Sequence, residues 1–146
     1  MFRRRRLPPD MQEAFDAFSS VVASVERGTA ALTGSVPSTR FGGRPLVDTL
    51  LEFEEALGDA AARMPAWRRP EVEDAWVRAD AGLRAALELA ERVRTEAPDP
   101  DGFEGLIGLI GNLLAPLEVV GDAADAFTGL RVRPGDAPPR PPPRGV

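Results

Sequence analysis

Apolar residues recur along this chain at alternating intervals of four and three, and the pattern runs four times. The first line is Met11, Phe15, Phe18, Val22, Val25, Thr29 and Leu32. The second is Leu46, Leu50, Phe53, Leu57, Ala60 and Met64. The third is Val72, Trp76, Ala79, Leu83, Ala86, Ala90, Val93 and Ala97. The fourth is broader: Phe103, Leu106, Ile107, Ile110, Leu113, Leu114, Leu117, Val120, Ala124 and Phe127. Such spacing places side chains on one face of an α-helix and forms the seam of a helix packed in a bundle. It predicts helices at about 10–33, 45–64, 70–97 and 101–129. At 1.5 Å per residue these match in length, at about 30–40 Å. No stretch alternates with period two. The expected fold is all-α: an antiparallel, up-down-up-down four-helix bundle over 10–130.

Punctuation along the chain supports these boundaries. Asp10 followed by Glu13 has capping-box spacing at the first helix start. Gly34 and Pro37 are expected to end that helix, leaving a loop over 34–44. Eleven residues are long for a helix–helix connection, and a flexible crossover is the expected reading. Pro45 and Pro70 suit first turns of helices, and Pro98 stops the third. Trp67, in the turn between the second and third lines, is expected to cover the bundle end.

The fourth line differs from the others. Thirteen uncharged residues separate Glu104 from Glu118. Gly105, Gly108, Gly111 and Gly121 interrupt it, each costing about 1 kcal/mol against alanine in a helix interior. Pro116 removes a backbone donor, so a kink or a break is expected there. Tertiary packing must hold such a helix, either in a core or on a membrane. The uncharged run is shorter than the roughly 20 residues of a membrane span. A second stripe, Gly105, Gly108, Asn112, Ala115 and Val119, stands where a surface helix normally carries charge. Its small side chains would let another backbone approach closely. The alternative is a helix buried on all sides.

Charge is unevenly placed. Residues 1–9 carry four arginines and no acid, and 131–146 carry four arginines against Asp136. The body, 10–130, holds ten arginines against twenty-two acids. Both ends are expected to be disordered tails, 1–9 basic and 131–146 rich in Pro and Arg, with 1–9 and 134–146 dispensable for folding. Phe2 and Arg3, Arg4, Arg5 and Arg6 lead into Leu7-Pro8-Pro9-Asp10 rather than an apolar run, which argues against a signal peptide. Pro139, Pro142 and Arg144 match the P-x-x-P-x-R shape, expected to be a linker match. Arginine without lysine and heavy Ala and Pro usage point to a GC-rich genome, expected to be bacterial.

The chain contains no Cys, His, Tyr or Lys. Disulfides, thiolate metal sites and the commonest general base are thereby removed. Asp48, Glu52, Glu55 and Asp59 form a carboxylate ladder on the second helix, expected to be a solvated face rather than a cation site. No catalytic residue, cofactor site or metal site is expected.

The expected function is that of a cytoplasmic, non-catalytic interaction protein. It would self-associate as a homodimer or dock to a partner protein through Gly105, Gly108, Asn112, Ala115 and Val119. The alternative is peripheral association with an anionic membrane surface through Arg3–Arg6, at about 1 kcal/mol per arginine, with helix four exposed on opening. Nucleic acid is disfavoured by the acidic body.

Overall fold

The computed structural model describes residues 7–40, 46–96 and 102–130, with the backbone alone at 35–40, 102 and 103. Among the described residues the chain is all-helical and has no strand. Helix α1 spans Pro9–Arg40, α2 Leu46–Arg63 and α3 Glu73–Glu96. Short 3-10 turns at Met64–Trp67 and Pro70–Val72 join α2 to α3. The fourth stretch is composite. Helix α4, Gly102–Leu114, is followed by a 3-10 turn at Ala115–Leu117, then α5, Glu118–Asp122, and α6, Ala124–Thr128. The turn falls on Pro116, as its missing N–H requires.

Two boundaries differ from the sequence expectation. The first helix begins at Pro9, and the Pro8 carbonyl accepts a hydrogen bond from the Gln12 amide at 2.8 Å. Asp10 therefore lies in the first turn rather than at the cap, and Pro9 takes the position where its missing donor costs nothing. Leu7, placed in the N-terminal tail by its charged neighbours, is buried one turn before Met11. The same helix also runs on through Gly34 and Pro37 to Arg40, so 34–40 is not a loop. Thr33 and Gly34 are already exposed there, so the carbonyl left free by Pro37 can turn to water. The rest of the expected loop, 41–44, Pro45, Pro98, the tail at 1–6 and the tail at 131–146 lie outside the described residues.

The seams of α2 and α3 follow the expected lines, except that Val93 is only half-covered and Ala97 lies outside the described residues. Leu46, Leu50, Phe53, Leu57, Ala60 and Met64 are all buried, as are Val72, Trp76, Ala79, Leu83, Ala86 and Ala90. Along α1 the face is rotated toward smaller residues. Ala14, Val21 and Gly28 are buried, while Phe15, Val22 and Thr29 are only partly covered. The reason is the approach of α2: a Cβ at Gly28 would stand 3.3 Å from both Ala56 Cβ and Phe53 Cδ1. Gly28 is a contact point and not merely a weak turn.

Contacts between neighbouring helices run in opposite directions along the chain. From Glu13 to Arg69, Phe18 to Trp67, Ser24 to Arg63 and Arg27 to Asp59, numbers rise on α1 as they fall on its partner. Between α2 and α3, Met64 meets Trp76 and Glu54 meets Arg94 in the same sense. The last stretch packs on α3, and α4 also touches α1.

One end of the molecule is an aromatic cluster. Phe18 and Phe127 stack at 5.2 Å, and Phe15 meets Phe127 edge-on at 5.3 Å. Trp67 lies 4.9 Å from Phe18 and 5.8 Å from Phe127, centroid to centroid. Trp67 is fully buried, and its indole N–H donates to Met64 Sδ at 3.2 Å. Trp76 donates to the Met64 carbonyl at 2.7 Å.

Another tight contact holds the last stretch. A Cβ at Gly82 would overlap the Pro116 carbonyl oxygen and stand 2.5 Å from Val119 Cγ2. Gly82→Ala must push the two segments apart, an overpacking cost of about 1–3 kcal/mol. Gly108→Ala adds a methyl to open space and should gain up to about 1 kcal/mol of helix propensity. Urea unfolding of the two variants should therefore shift in opposite directions.

Candidate functional site

Helix four is neither buried all round nor evenly charged on its outside. Leu106, Ile110, Leu113, Leu117, Val120 and Phe127 face the core. Ile107, expected on that face, is 45% exposed. It falls beyond the arc that α1 and α3 cover, because the expected face was drawn broader than two neighbours can bury. The expected contact stripe lies mostly outside. Gly108, Asn112 and Ala115 are exposed, Gly105 is half-buried, and Val119 is half-buried against Gly82. A Cβ at Gly108 or Gly111 would meet nothing within 4 Å. The outer surface of α4 is thus a ridge of Ile107, Gly108, Gly111, Asn112 and Ala115 without a charge between Glu104 and Glu118.

The helical stretch Glu104–Thr128 is 25 residues long with a mean hydropathy of 1.5 in its most apolar window, long and apolar enough to cross a membrane. Only 33% of that window is buried within the fold. The uncharged run is shorter than a span, but the helix continues past Pro116 and tolerates few acids in that window. Arg3, Arg4, Arg5 and Arg6 lie outside the described residues, as does the P-x-x-P-x-R segment.

Asp48, Glu52, Glu55 and Asp59 of the carboxylate ladder are all exposed. Asp48, Glu52 and Glu55 line a shallow, open depression with Leu51. Asp59 is engaged by Arg27 at 2.6 Å. Among the described residues no three acidic side chains converge as a cation would require. One acid on the same helix was missed by the pattern. Glu54 accepts two hydrogen bonds from Arg94 of α3, at 2.6 and 3.1 Å, in a mostly covered position. That fork raises the guanidinium pKa of Arg94 further above its ordinary value. Only the pairing of α2 with α3 brings residues 40 apart into reach, so no local signal marked it.

At the opposite end Arg68 lies 4.0 Å above the Trp76 ring and forks onto Glu73, at 3.1 and 2.7 Å. Hydrogen bonding from Arg68 holds the Glu73 carboxyl below the usual glutamate range and raises Arg68 in turn. These groups brace the turn after Trp67 from a half-exposed position.

Comparison with protein-family models, characterised proteins and solved structures finds no match to this chain. The geometry alone must carry the functional reading.

Two tests follow from the polar groups. Because the folded pKa of Glu73 is lowered, its contribution is present above the unfolded value and lost as pH falls through the folded one. The Tm difference between wild type and Glu73→Gln should be largest near neutral pH and shrink progressively as pH falls below the ordinary glutamate value of about 4.3. Thr49 is buried, and among the described residues its Oγ1 has no hydrogen-bond partner. Thr49→Val exchanges that hydroxyl for a methyl of similar shape and should stabilise the fold by about 1 kcal/mol in chemical denaturation.

Proposed function

We propose that this chain is a non-catalytic helical interaction protein that self-associates, or docks to a partner protein, through the outer ridge of α4. The observation that carries the reading is the uncharged, exposed surface at Gly108, Gly111, Asn112 and Ala115. Gly28 and Gly82 have reasons inside the fold, because a Cβ at either meets a neighbour closely. Gly108 and Gly111 have no such reason, yet each costs about 1 kcal/mol of helix propensity. A close external backbone would supply one.

The surrounding architecture is proposed to be an antiparallel, up-down-up-down four-helix bundle with charged ends on either side. The opposed pairings of α1 with α2 and α2 with α3 support it, as does the gathering of Phe18, Trp67, Trp76 and Phe127 at one end. A cytoplasmic location is part of the same reading. Peripheral membrane association is the second reading. It is favoured by the apolar, two-thirds unburied window within Glu104–Thr128 together with the Arg3–Arg6 run.

Gly108→Leu tests the first reading cleanly, since the added side chain meets nothing within the fold at its Cβ. Wild type is expected to run as a dimer, or to co-elute with a partner, in light scattering coupled to size exclusion. The variant should stay folded by circular dichroism and fall to the monomer mass. An assembly that survives Gly108→Leu unchanged removes the ridge as the contact. Co-sedimentation of a monomeric wild type with anionic vesicles would favour the membrane reading instead.

A further inference from the structure

We propose that the first half of the fourth stretch, residues 104–114, opens from the rest of the fold as a unit, hinged at the 3-10 turn around Pro116. The inference rests on internal packing and is independent of what binds the outer ridge.

Polar bonds tie the first three helices together. Arg27 reaches Asp59, Arg63 reaches Ser24, Arg94 forks onto Glu54, and Trp76 donates to the Met64 carbonyl. Among the described residues no side chain of 104–114 makes a hydrogen bond or ion pair with another element. Among the described residues that half is held by apolar contacts, with Leu106, Ile110 and Leu113 buried and Leu109 and Leu114 partly covered. Among the described residues its packing on α3 is also sparser than that of the Pro116 turn and of α5, although it is the longer piece.

Beyond Pro116 the anchoring changes. The Pro116 carbonyl and Val119 press on Gly82, and Phe127 is locked between Phe15, Phe18 and Trp67. The boundary between the two regimes is the place where the helix is already broken. Pro116 cannot donate to the Asn112 carbonyl, so no regular α-helical ladder transmits rigidity across it. Gly105, Gly108 and Gly111 give the first half weak helical preference once undocked, so the open segment loses its helix as well as its contacts. Opening would bare a continuous apolar strip of Leu106, Ile110 and Leu113, together with the wall of α1 and α3 that they cover. Elements that move are drawn from the low-stability end of a fold, and this segment is the one the packing marks.

Native-state amide hydrogen exchange on the full chain reads this directly. Amides of 108–114 are expected to exchange at a common rate, at least tenfold faster than those of 119–127 and of α2, with a step at Pro116. Their exchange should depend weakly on denaturant, because little surface is exposed in the opening. Leu113→Ala should accelerate 108–114 by at least tenfold while leaving the α2 amides within about threefold. The Gly108→Ala/Gly111→Ala double variant, compared with wild type at a concentration where both are monomeric, should slow the same amides by about tenfold or more, since neither methyl meets a neighbour within the fold and helical preference rises. Exchange of 108–114 at the rate and denaturant dependence of α2 would overturn the proposal, as would Leu113→Ala accelerating both regions equally. A smooth gradient rising toward residue 104, without a step at Pro116, would mean end fraying and would equally overturn it.

Discussion

Phe127 is where the fold closes. It stacks on Phe18 of the first helix, meets Phe15 edge-on and lies against Trp67 from the turn after the second. Trp67 in turn touches Trp76 near the start of α3. Residues more than a hundred positions apart thus share one cluster, drawn from the first helix, the turn after the second, the third helix and the last stretch. Truncating a buried aromatic of this kind costs about 3–5 kcal/mol, a large part of the 5–15 kcal/mol that holds a typical domain. The 3-10 turns around Trp67 and the brace of Arg68 and Glu73 follow from the need to seat that indole.

Midway along the helices the packing is built on small residues. Gly28 lets α1 and α2 approach, and Gly82 admits the Pro116 turn. These glycines are buried in contacts that alanine would crowd. The glycines of α4 look the same in sequence but stand in open space. One residue type therefore has two physical meanings here: inside, it removes a clash; outside, it leaves a smooth ridge and a weak helix. The proposed contact surface and the proposed opening both draw on the second meaning.

Polar groups divide in a similar way. The carboxylate ladder, prominent as a pattern, is mostly a solvated face with Asp59 engaged by Arg27. The acid that links helices is Glu54, one step away from the ladder and paired with Arg94 across two elements. Exposed ion pairs contribute little individually, whereas a covered, two-pronged pair also fixes how two helices are turned against each other. The spacing of charges along one helix could not distinguish these cases, because the distinction lies in what stands opposite.

The sequence by itself determined the helical character, the cores of α2 and α3, the break at Pro116 and the burial of Trp67. All follow from short-range periodicity and from the missing donor of proline, which need no knowledge of neighbours. It misjudged Leu7, the 34–40 segment, Ile107 and the rotation of α1 toward Ala14, Val21 and Gly28. Each of these depends on which side a partner helix arrives from and how near it comes. Tertiary structure alone decided that Gly82 is a contact point, that Glu54 holds Arg94, and that the uncharged side of helix four faces outward. A helical pattern specifies a face; only the packed neighbours specify how much of that face they cover.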